Sequence, residues 1–220
     1  MKQLGILGGT FDPIHFGHLR TAEEIGQQLR LDKVYLIPSA SPPHKTTAPV
    51  TSFHHRMNMT QMGIGDSPTM EALDLEAKRP GLSYSVETLK EMHRLFHPDP
   101  EFFFILGTDA FQEIETWKDY RHLFDYAHFV IIQRAGFQEE NVADVVTQGG
   151  IDITPTDRPE VFLAPSGNQV IVMMTTLLDI SSTRIRQMVS RGESIRFLVP
   201  DSVRRYIQEE GLYRNDDKPG

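Results

Sequence analysis

The stretch "QLGILGGTFDPIHFGH", Gln3 to His18, decides the fold. Its apolar run ends in two glycines, a pattern that predicts a short buried strand. The sequence "HLRTAEEIGQQLRL", which overlaps the end of the stretch, predicts a helix. Ligands of parallel α/β sheets bind beyond the carboxyl ends of the strands, so we expect the loop between this strand and helix to carry function.

The order of strand and helix recurs along the rest of the chain. Further strands are predicted at "KVYLIPS", at the more edge-like "TMEALDLEA", and at "EFFFILG", "AHFVIIQR" and "QVIVMMTT". Helices are predicted near "SFHHRMNMTQMGI", over the amphipathic "SYSVETLKEMHRLF", around Trp117, and in "SSTRIRQMVSRG" and "PDSVRRYIQEEG". This alternation predicts an α/β fold with a Rossmann-like, doubly wound, mostly parallel sheet and C-terminal helices.

Composition excludes several classes of protein. The chain has 220 residues, of which 39% are hydrophobic and 24% charged, and it contains no cysteine. Disulfides, thiolate metal sites and cysteine nucleophiles are therefore excluded. The net charge of −8 argues against a general nucleic-acid-binding protein. It does not exclude a small anionic ligand, because a few local cations and helix N-termini suffice to bind one phosphate group.

Hydropathy and patterning set expectations about location and domain organisation. The first residues are too few and too glycine-rich for a signal peptide, and no apolar run could span a bilayer. We therefore expect a cytoplasmic protein without a membrane partner, while the sequence leaves a homo-oligomer open. We expect residues 1–220 to form a single domain with an insertion at about 137–168. Within that insertion, "EENVADVV" is compatible with a short helix, and the remainder with a loop that contains one strand.

Three interpretations of the stretch Gly8 to His18 compete with phosphate binding. A dinucleotide-binding loop needs G-x-G-x-x-G, whereas this stretch lies in G-x-x-G-G-T, and the chain contains no P-loop motif. A plain turn explains the glycines and Asp12-Pro13, but it gives no role to His15 and His18. Metal binding by the two histidines is disfavoured, because a helix N-terminus carries partial positive charge and no third ligand has a known spacing.

Phosphate chemistry accounts for all parts of the stretch. Backbone N–H groups of the glycine turn and the helix start can bind phosphate oxygens, and small side chains let a phosphate approach closely. Two imidazoles directed at one α-phosphate could stabilise the charge that develops on its oxygens during nucleotidyl transfer.

The stretch "GGTFDPIHFGH" resembles the (T/H)xGH signature of the nucleotidyltransferase superfamily, and "ISSTRIR", Ile180 to Arg186, resembles its second signature. The segments "IPSASPPHK", "SYSVETL", "LGTDAFQEIETW" and "LVPDSVRRYIQEEGLY" look like those of bacterial nicotinate mononucleotide adenylyltransferases. The resemblance covers nearly the whole chain except about 137–168. It implies adenylyl transfer from ATP to nicotinate mononucleotide, which gives deamido-NAD and pyrophosphate, by in-line attack without a covalent enzyme intermediate.

The resemblance also implies which residues act. Catalysis would fall to His18 and His15, and Mg²⁺ would arrive with ATP, with no metal-binding residue on the chain. ATP would be bound by the residues of the two motifs, namely Gly8, Gly9, Thr10, Phe11, His15, His18, Ile180, Ser181, Ser182 and Arg186. The mononucleotide would be bound by residues after the other strands, namely Lys45, His44, Ser85, Gly107, Asp109, Trp117 and Arg134.

Ordinary structural roles remain open for several of these residues. Ser181 or Ser182 could cap the helix that follows, and Asp109 could cap another helix. Arg184 and Arg186 are two apart and cannot share one helical face, so one of them could be solvated. A lone tryptophan such as Trp117 is more often a core residue, although its neighbours here are polar.

Two rival functions remain open from the sequence. One is a related adenylyltransferase that prefers nicotinamide mononucleotide or another superfamily substrate. The other is a nucleotide sensor that binds ATP or a dinucleotide without turnover. The backbone N–H groups at the start of the helix at Ser85 could receive a nicotinate carboxylate, which favours the acid over the amide.

Overall fold

The computed structural model describes residues 1–42, 50–98, 100–133, 150 and 152–214. Three predicted site residues, His44, Lys45 and Arg134, lie outside these ranges, and so does the helix suggested for "EENVADVV". Among the described residues, none of the helices combines the length and the apolar composition that crossing a membrane requires.

One mixed sheet organises the described part of the chain. Its strands are β1 Gln3–Gly9, β2 Lys33–Pro38, β3 Met70–Ala72, β4 Glu101–Gly107, β5 His128–Gln133, β6 Thr154–Pro155, β7 Val161–Leu163 and β8 Gln169–Met174. They lie in the order β3-β2-β1-β4-β5-β8-β7-β6. All pairings from β3 to β8 are parallel, and β7 and β6 extend the sheet in antiparallel pairings. The predicted Rossmann-like α/β fold is confirmed.

Helices connect the strands and cover both faces of the sheet. They are α1 Phe16–Gln28, α2 Phe53–Ile64, α3 Ser85–Leu95, α4 Thr108–Gln112, α5 Tyr120–Tyr126, α6 Ser182–Ser190 and α7 Asp201–Glu209. Short 3₁₀ helices lie at Leu75–Lys78 and Ile114–Thr116. The apolar face of α1 shows why this segment is helical: Leu19, Ala22 and Ile25 recur at three-residue spacing, and all three are buried.

Alternation within the strands divides the apolar residues between two cores. In β4, Phe102, Phe104 and Leu106 face a core that includes α3, α4 and α5, because alternate residues of a strand point to opposite faces. Phe103 and Ile105 face the other core, which includes residues of α1, α2, α6 and α7. The sheet is therefore covered on both faces, as the continuous apolar run "EFFFIL" requires.

The order of strands creates a crevice beside β1. From β1 the chain adds β2 and β3 on one side, and it then returns to add β4 and β5 on the other side. Ligands of open α/β sheets bind at such a reversal, outside the carboxyl ends of the strands. The strand β1 ends at Gly9 and β4 ends at Gly107, so both ends border this crevice.

The structure differs from the sequence-based expectation in three segments. The third strand is only three residues long and leads directly into the 3₁₀ helix Leu75–Lys78. Trp117 is not helical, because it ends the 3₁₀ helix Ile114–Thr116 with extended backbone angles before α5 begins. The described part of the stretch 137–168 contains two strands, β6 and β7, where one had been expected.

The core on the α5 face supplies a test of the fold. Phe129 in β5 is fully buried, stacks on Phe124 with ring centroids 4.1 Å apart, and lies 5.4 Å from Phe104. Replacement of Phe129 by Ala should lower the free energy of unfolding by about 3–5 kcal/mol, because it leaves a cavity among these rings. Urea denaturation measures the loss. The matched substitution Phe197→Ala, at a ring that is 81% exposed, should change stability by only about 0.5 kcal/mol or less.

Candidate active site

A cavity of about 630 Å³ lies at the crevice beside β1. Its walls come from the ends of β1 and β4, the first residues of α1, α3, α4 and α6, and the loop 175–181 that follows β8. Most of the predicted site residues line it, namely Gly8, Gly9, Thr10, His15, His18, Ser85, Gly107, Asp109, Trp117, Ile180, Ser181 and Ser182. The fold thus brings residues from both ends of the chain to one cavity.

Two predicted ATP-binding residues are in described parts of the chain but do not line this cavity. Phe11 is 2% exposed and packs in the core, where its ring meets His18 edge-on with centroids 5.0 Å apart. Arg186 Nη1 donates a hydrogen bond to the backbone oxygen of Asp12 at 2.7 Å. The side chain of Phe11 therefore supports a histidine, and Arg186 holds the backbone of the first motif.

The two histidines form a stacked pair at the start of α1. Their ring centroids are 3.6 Å apart and the ring planes differ by 20°. His18 Nδ1 accepts a hydrogen bond from the backbone N–H of His15 at 3.4 Å. A neutral His18 whose Nδ1 is an acceptor carries its proton on Nε2, so Nε2–H is the donor that this ring can offer to a ligand.

Burial keeps the pair uncharged. Loss of solvation lowers the pKa of His15 to about 4. The pKa of His18 is also well below its usual value, first because of burial and second because of the neighbouring His15. Two stacked imidazoles would repel each other if both were protonated. At neutral pH, the ligand-free site therefore presents neutral N–H donors.

Unpaired polar atoms also point to a ligand. Within the described ranges, two buried side-chain polar atoms have no hydrogen-bond partner, His15 Nδ1 and Gln133 Nε2. Both residues line the cavity and are 5% exposed. Buried polar atoms normally have a partner, so this cavity is built to receive polar groups from a ligand or from water.

The glycines around the cavity have distinct steric roles. A Cβ on Gly17 would lie 3.0 Å from His15 Nδ1, so this glycine makes room for the His15 ring. A Cβ on Gly9 would lie 2.8 Å from the Phe11 ring. At Gly8 and Gly107, an added Cβ would meet no atom within 4 Å, because both positions face the open cavity. The left-handed backbone angle in this turn belongs to Phe11, whose φ is 48°, and not to Gly8 or Gly9.

The second motif is attached to the first by side-chain hydrogen bonds. Ser181 caps α6, since its Oγ accepts a hydrogen bond from the backbone N–H of Arg184 at 3.2 Å. Ser182 Oγ donates to the backbone oxygen of Pro13 at 2.8 Å. Together with the bond from Arg186 to Asp12, these contacts place the N-terminus of α6 beside the glycine turn, where it can attract an anion.

Arg56 is a structural part of the site that sequence reasoning missed. It is 1% exposed, and it donates hydrogen bonds to the backbone oxygens of Thr10 and Thr51, both at 2.8 Å. Burial lowers its pKa, while the charge of Asp12 acts in the opposite direction. The helical spacing in the sequence could have indicated this burial. Arg56 precedes the buried Met59 and Thr60 by three and four residues, so it lies on the buried face of α2.

Glu24 holds the loop that borders the α1 side of the cavity. Its carboxylate accepts hydrogen bonds from Thr176 N at 2.6 Å, from Thr176 Oγ1 at 2.5 Å and from Arg20 Nε at 2.7 Å. Thr176 and its neighbours Leu177 and Leu178 are exposed and line the cavity. The charged residue Glu24 is 7% exposed in α1, a combination that sequence alone did not reveal.

The start of α3 belongs to the part of the cavity wall that comes from the other face of the sheet. Ser85 is the first residue of α3, as predicted, and Asp109 is in the first turn of α4, whose N-cap is Gly107. Trp117 is half-buried, and its ring forms a T-shaped pair with the core residue Phe104 at a centroid distance of 6.4 Å. The exposed part of its ring lines the cavity, so Trp117 is both a core residue and a wall of the site.

Comparison with known proteins identifies the class and then the family. The family model described as cytidylyltransferase-like matches residues 6–188, so the fold and the two motifs define a nucleotidyltransferase. The "Probable nicotinate-nucleotide adenylyltransferase" of Geotalea daltonii is 42% identical over 219 residues, which cover 97% of this chain and 99% of the relative. The relative of the same name from Desulfatibacillum aliphaticivorans is 43% identical over 217 residues, with 96% and 99% covered. The chain therefore belongs to the nicotinate-nucleotide adenylyltransferase family.

Solved structures agree with the fold. "Plasmodium falciparum nicotinic acid mononucleotide adenylyltransferase complexed with NaAD" matches with a TM-score of 0.74 and 23% identity, over 97% of this chain and 98% of that chain. The structure of the same enzyme "complexed with APC" matches with a TM-score of 0.72, also at 23% identity and with the same coverage. At this identity the likeness shows the shared α/β fold.

Metal requirements follow from the class. Nucleotidyltransferases of this kind generally use a divalent metal ion with ATP. Among the side chains that the structure describes, no group of three or more His, Asp or Glu residues could hold a metal ion. The residues that line the cavity instead offer backbone amides, hydroxyls, imidazoles, the Gln133 amide and the Lys118 ammonium, and such donors suit anionic oxygens.

The lowered pKa of His15 gives a test of the neutral pair. In NMR titrations of the ligand-free protein, the His15 ring signal should have its midpoint near pH 4. Because the unfolded chain binds this proton at a higher pH, the contribution of His15 to stability is complete above about pH 6.5 and is lost as the pH falls toward 4. The variant His15→Asn assigns the signal, and its stability should depend less on pH in this window. A midpoint at pH 6 or above would contradict the neutral pair.

Proposed function

We propose that this chain transfers the adenylyl group of MgATP to nicotinate mononucleotide and releases pyrophosphate, a step of NAD biosynthesis that forms deamido-NAD. One observation carries the proposal: residues of both nucleotidyltransferase motifs and the described residues expected to bind a pyridine mononucleotide line a single cavity of about 630 Å³. That volume lies within the range of pockets that enclose small ligands. The names of the full-length relatives support the same substrate class.

The cavity offers one end to each substrate. Residues from α1, α6 and the loop 175–181 line one end, and we assign it to ATP. Residues from α3, α4 and the segment around Trp117 line the other end, and we assign it to the mononucleotide. Between them lie Gly8 and Gly107, whose missing side chains leave space for phosphates to meet.

The reaction needs positioning more than acid–base chemistry. A phosphate oxygen of the mononucleotide forms a bond to the α-phosphorus of ATP while the bond to the bridging α,β-oxygen breaks. The electron pair leaves with pyrophosphate. The second pKa of a phosphate monoester is about 6, so the attacking oxygen is already deprotonated at neutral pH and no general base is needed. Catalysis therefore rests on orientation and on donors that match the transition-state charge.

His18 and His15 supply donors for that charge. The Nε2–H of His18 donates to an α-phosphate oxygen, because its Nδ1 is already used by the backbone N–H of His15. His15 lines the cavity beside the same ring, and we assign its imidazole to the phosphates as a second donor. The low pKa of both rings means that they donate as neutral imidazoles until a bound phosphate favours protonation.

Backbone groups complete the phosphate site. We assign the amides of the turn from Gly8 to Phe11 and of the segment from Ile180 to Ser182 to the ATP phosphates, supported by the cap at Ser181 and the exposed N-terminus of α6. Arg186 contributes charge beside the same turn while its Nη1 holds the backbone oxygen of Asp12. Mg²⁺ enters with the triphosphate as part of the substrate MgATP.

The mononucleotide site uses planar and charged groups. We assign the face of Trp117 to stacking on the pyridine ring, Asp109 and Gly107 to the ribose side, and the first turn of α3 at Ser85 to the nicotinate carboxylate. We keep the assignments of His44, Lys45 and Arg134 to the mononucleotide as predictions from the resemblance, since these residues lie outside the described ranges.

We also propose that residues 1–220 form one nucleotidyltransferase domain with an insertion at about 137–168. The continuous sheet supports this organisation, because β7 from that stretch pairs with β8 and β6 pairs with β7. The cytoplasmic location and the homo-oligomer stay predictions from the sequence.

A substrate panel tests the proposed function. The purified chain with MgATP should release pyrophosphate with nicotinate mononucleotide, and kcat/KM should be much lower with nicotinamide mononucleotide. Phosphopantetheine should give no release. Equal kcat/KM for acid and amide would contradict the assigned specificity. Binding of both substrates without release would assign the chain to a nucleotide sensor.

The variant His18→Ala tests the role of the imidazole donor. Loss of one preorganised donor to the transition state should lower kcat by about 10²- to 10³-fold and change the KM for ATP little. Steady-state kinetics with both substrates measure the two constants. The matched variant His54→Ala removes an exposed imidazole from α2, outside the cavity, and should keep wild-type kcat. A large rise in the KM for ATP at unchanged kcat would instead assign His18 to ground-state binding.

A further inference from the structure

The acid and amide forms of the mononucleotide differ mainly in charge. A pyridine carboxylate and a pyridine carboxamide have nearly the same size and shape. A steric pocket therefore separates them poorly, and discrimination has to come from donors and charges around the substituent. A charged side chain beside the pyridine substituent can supply this discrimination.

Lys118 is the one lysine or arginine among the described residues that line the cavity. Its side chain is 49% exposed. The ammonium lies 4.7 Å from the centroid of the Tyr84 ring and 3.5 Å from Glu87 Oε1. Tyr84 is the N-cap of α3 and Glu87 lies in its first turn, so the cation is held beside Ser85 and the N-terminus of that helix.

Around Glu87, the side-chain charges leave a local positive excess. Glu87 is shared, because Lys90 Nζ also lies 3.7 Å from its Oε1, so two cations face one carboxylate. The partial positive charge of the α3 N-terminus adds to the excess. Each of these ion pairs is partly exposed, so Glu87 neutralises Lys118 only in part.

Glu76 brings the opposite charge to the same end. It is 8% exposed and lines the cavity, and its carboxylate accepts hydrogen bonds from Thr88 Oγ1 at 2.6 Å and from the backbone N–H of Ala40 at 3.3 Å. Thr88 is one turn beyond Ser85 in α3. The charge of Arg56 acts on Glu76, and Arg79 Nη2 donates to Thr88 Oγ1 at 3.4 Å, but neither arginine lines the cavity. A carboxylate ligand at the start of α3 approaches Glu76 from the cavity side, where Lys118 is the described cation that can offset the repulsion.

We propose that Lys118 is a specificity-determining residue whose ammonium favours a pyridine carboxylate over a carboxamide at the mononucleotide end. This inference rests on the proposed function, since it assigns the pyridine substituent to the start of α3. Lys118 contributes through charge, so its effect should fall as salt screens the site. The amide substrate should bind and react with little dependence on this residue.

The variant Lys118→Met tests the inference through a ratio. The ratio of kcat/KM for the acid to kcat/KM for the amide should fall by about 3- to 10-fold, through the KM for nicotinate mononucleotide, while the KM for ATP stays unchanged. Because both substrates use the same enzyme, loss of folded protein cancels from the ratio. Lys118→Arg should keep most of the preference. Raised salt should lower the preference in the wild-type chain and in Lys118→Arg, but not in Lys118→Met.

Lys90→Met is the matched control. Lys90 shares Glu87 with Lys118 but does not line the cavity, so its loss should leave the ratio within about twofold of wild type. An unchanged ratio in Lys118→Met, or an equal fall in Lys90→Met, would overturn the inference.

A binding measurement separates this inference from the proposed function. Trp117 is the only tryptophan of the chain and lines the cavity, so quenching of its fluorescence reports mononucleotide binding without turnover. Absence of pyrophosphate release with either mononucleotide would overturn the proposed function. The ratio of dissociation constants for acid and amide would then still support Lys118 if it falls in Lys118→Met, and reject it if it does not.

Discussion

The buried carboxylate of Asp12 is the constraint on which the site depends. Its oxygens accept hydrogen bonds from the Tyr213 hydroxyl at 2.6 Å and from the Thr51 amide at 3.1 Å, while its backbone oxygen accepts one from Arg186. Asp12 is 3% exposed, and a buried anion is tolerated only when such partners are present. The first motif, the segment before α2, α6 and the C-terminal residues must therefore assemble together, and burial with the nearby Asp12 charge raises the pKa of Tyr213.

The two cores allow separate groups of helices to hold separate parts of the site. Alternate side chains of β1 and β4 point to opposite faces of the sheet, and each face packs against its own set of helices. The cavity lies at the strand ends, where both faces meet, and it draws His15 and His18 from one face and Ser85 and Trp117 from the other. A reaction that joins two nucleotides needs such a place, because each substrate can be held by a separate rigid layer while their phosphates meet between the layers.

The sequence predicted the elements that local patterns specify. Apolar runs located the six parallel strands, and the paired motifs located the glycine turn, both histidines and the cap at Ser181. What the sequence could not predict depends on distant partners. In the sequence, Arg56 and Glu24 resemble the charged residues of any exposed helix face. In the fold, Arg56 is buried and bonds to Thr10, and Glu24 is buried and bonds to Thr176. Sequence also does not show that the ring of Phe11 packs in the core, which leaves its backbone amide as the part that can face a ligand.

The empty space beside Gly8 and Gly107 has a consequence for how variation in this chain should be interpreted. An added methyl group at either position would meet no protein atom within 4 Å, and neither glycine has a positive φ. Folding therefore places little restriction on these two positions, and the space is reserved for what binds there. Selection that acts on folding alone would accept larger residues at both sites. If related sequences keep glycine at these positions, the reason is therefore ligand binding and not folding.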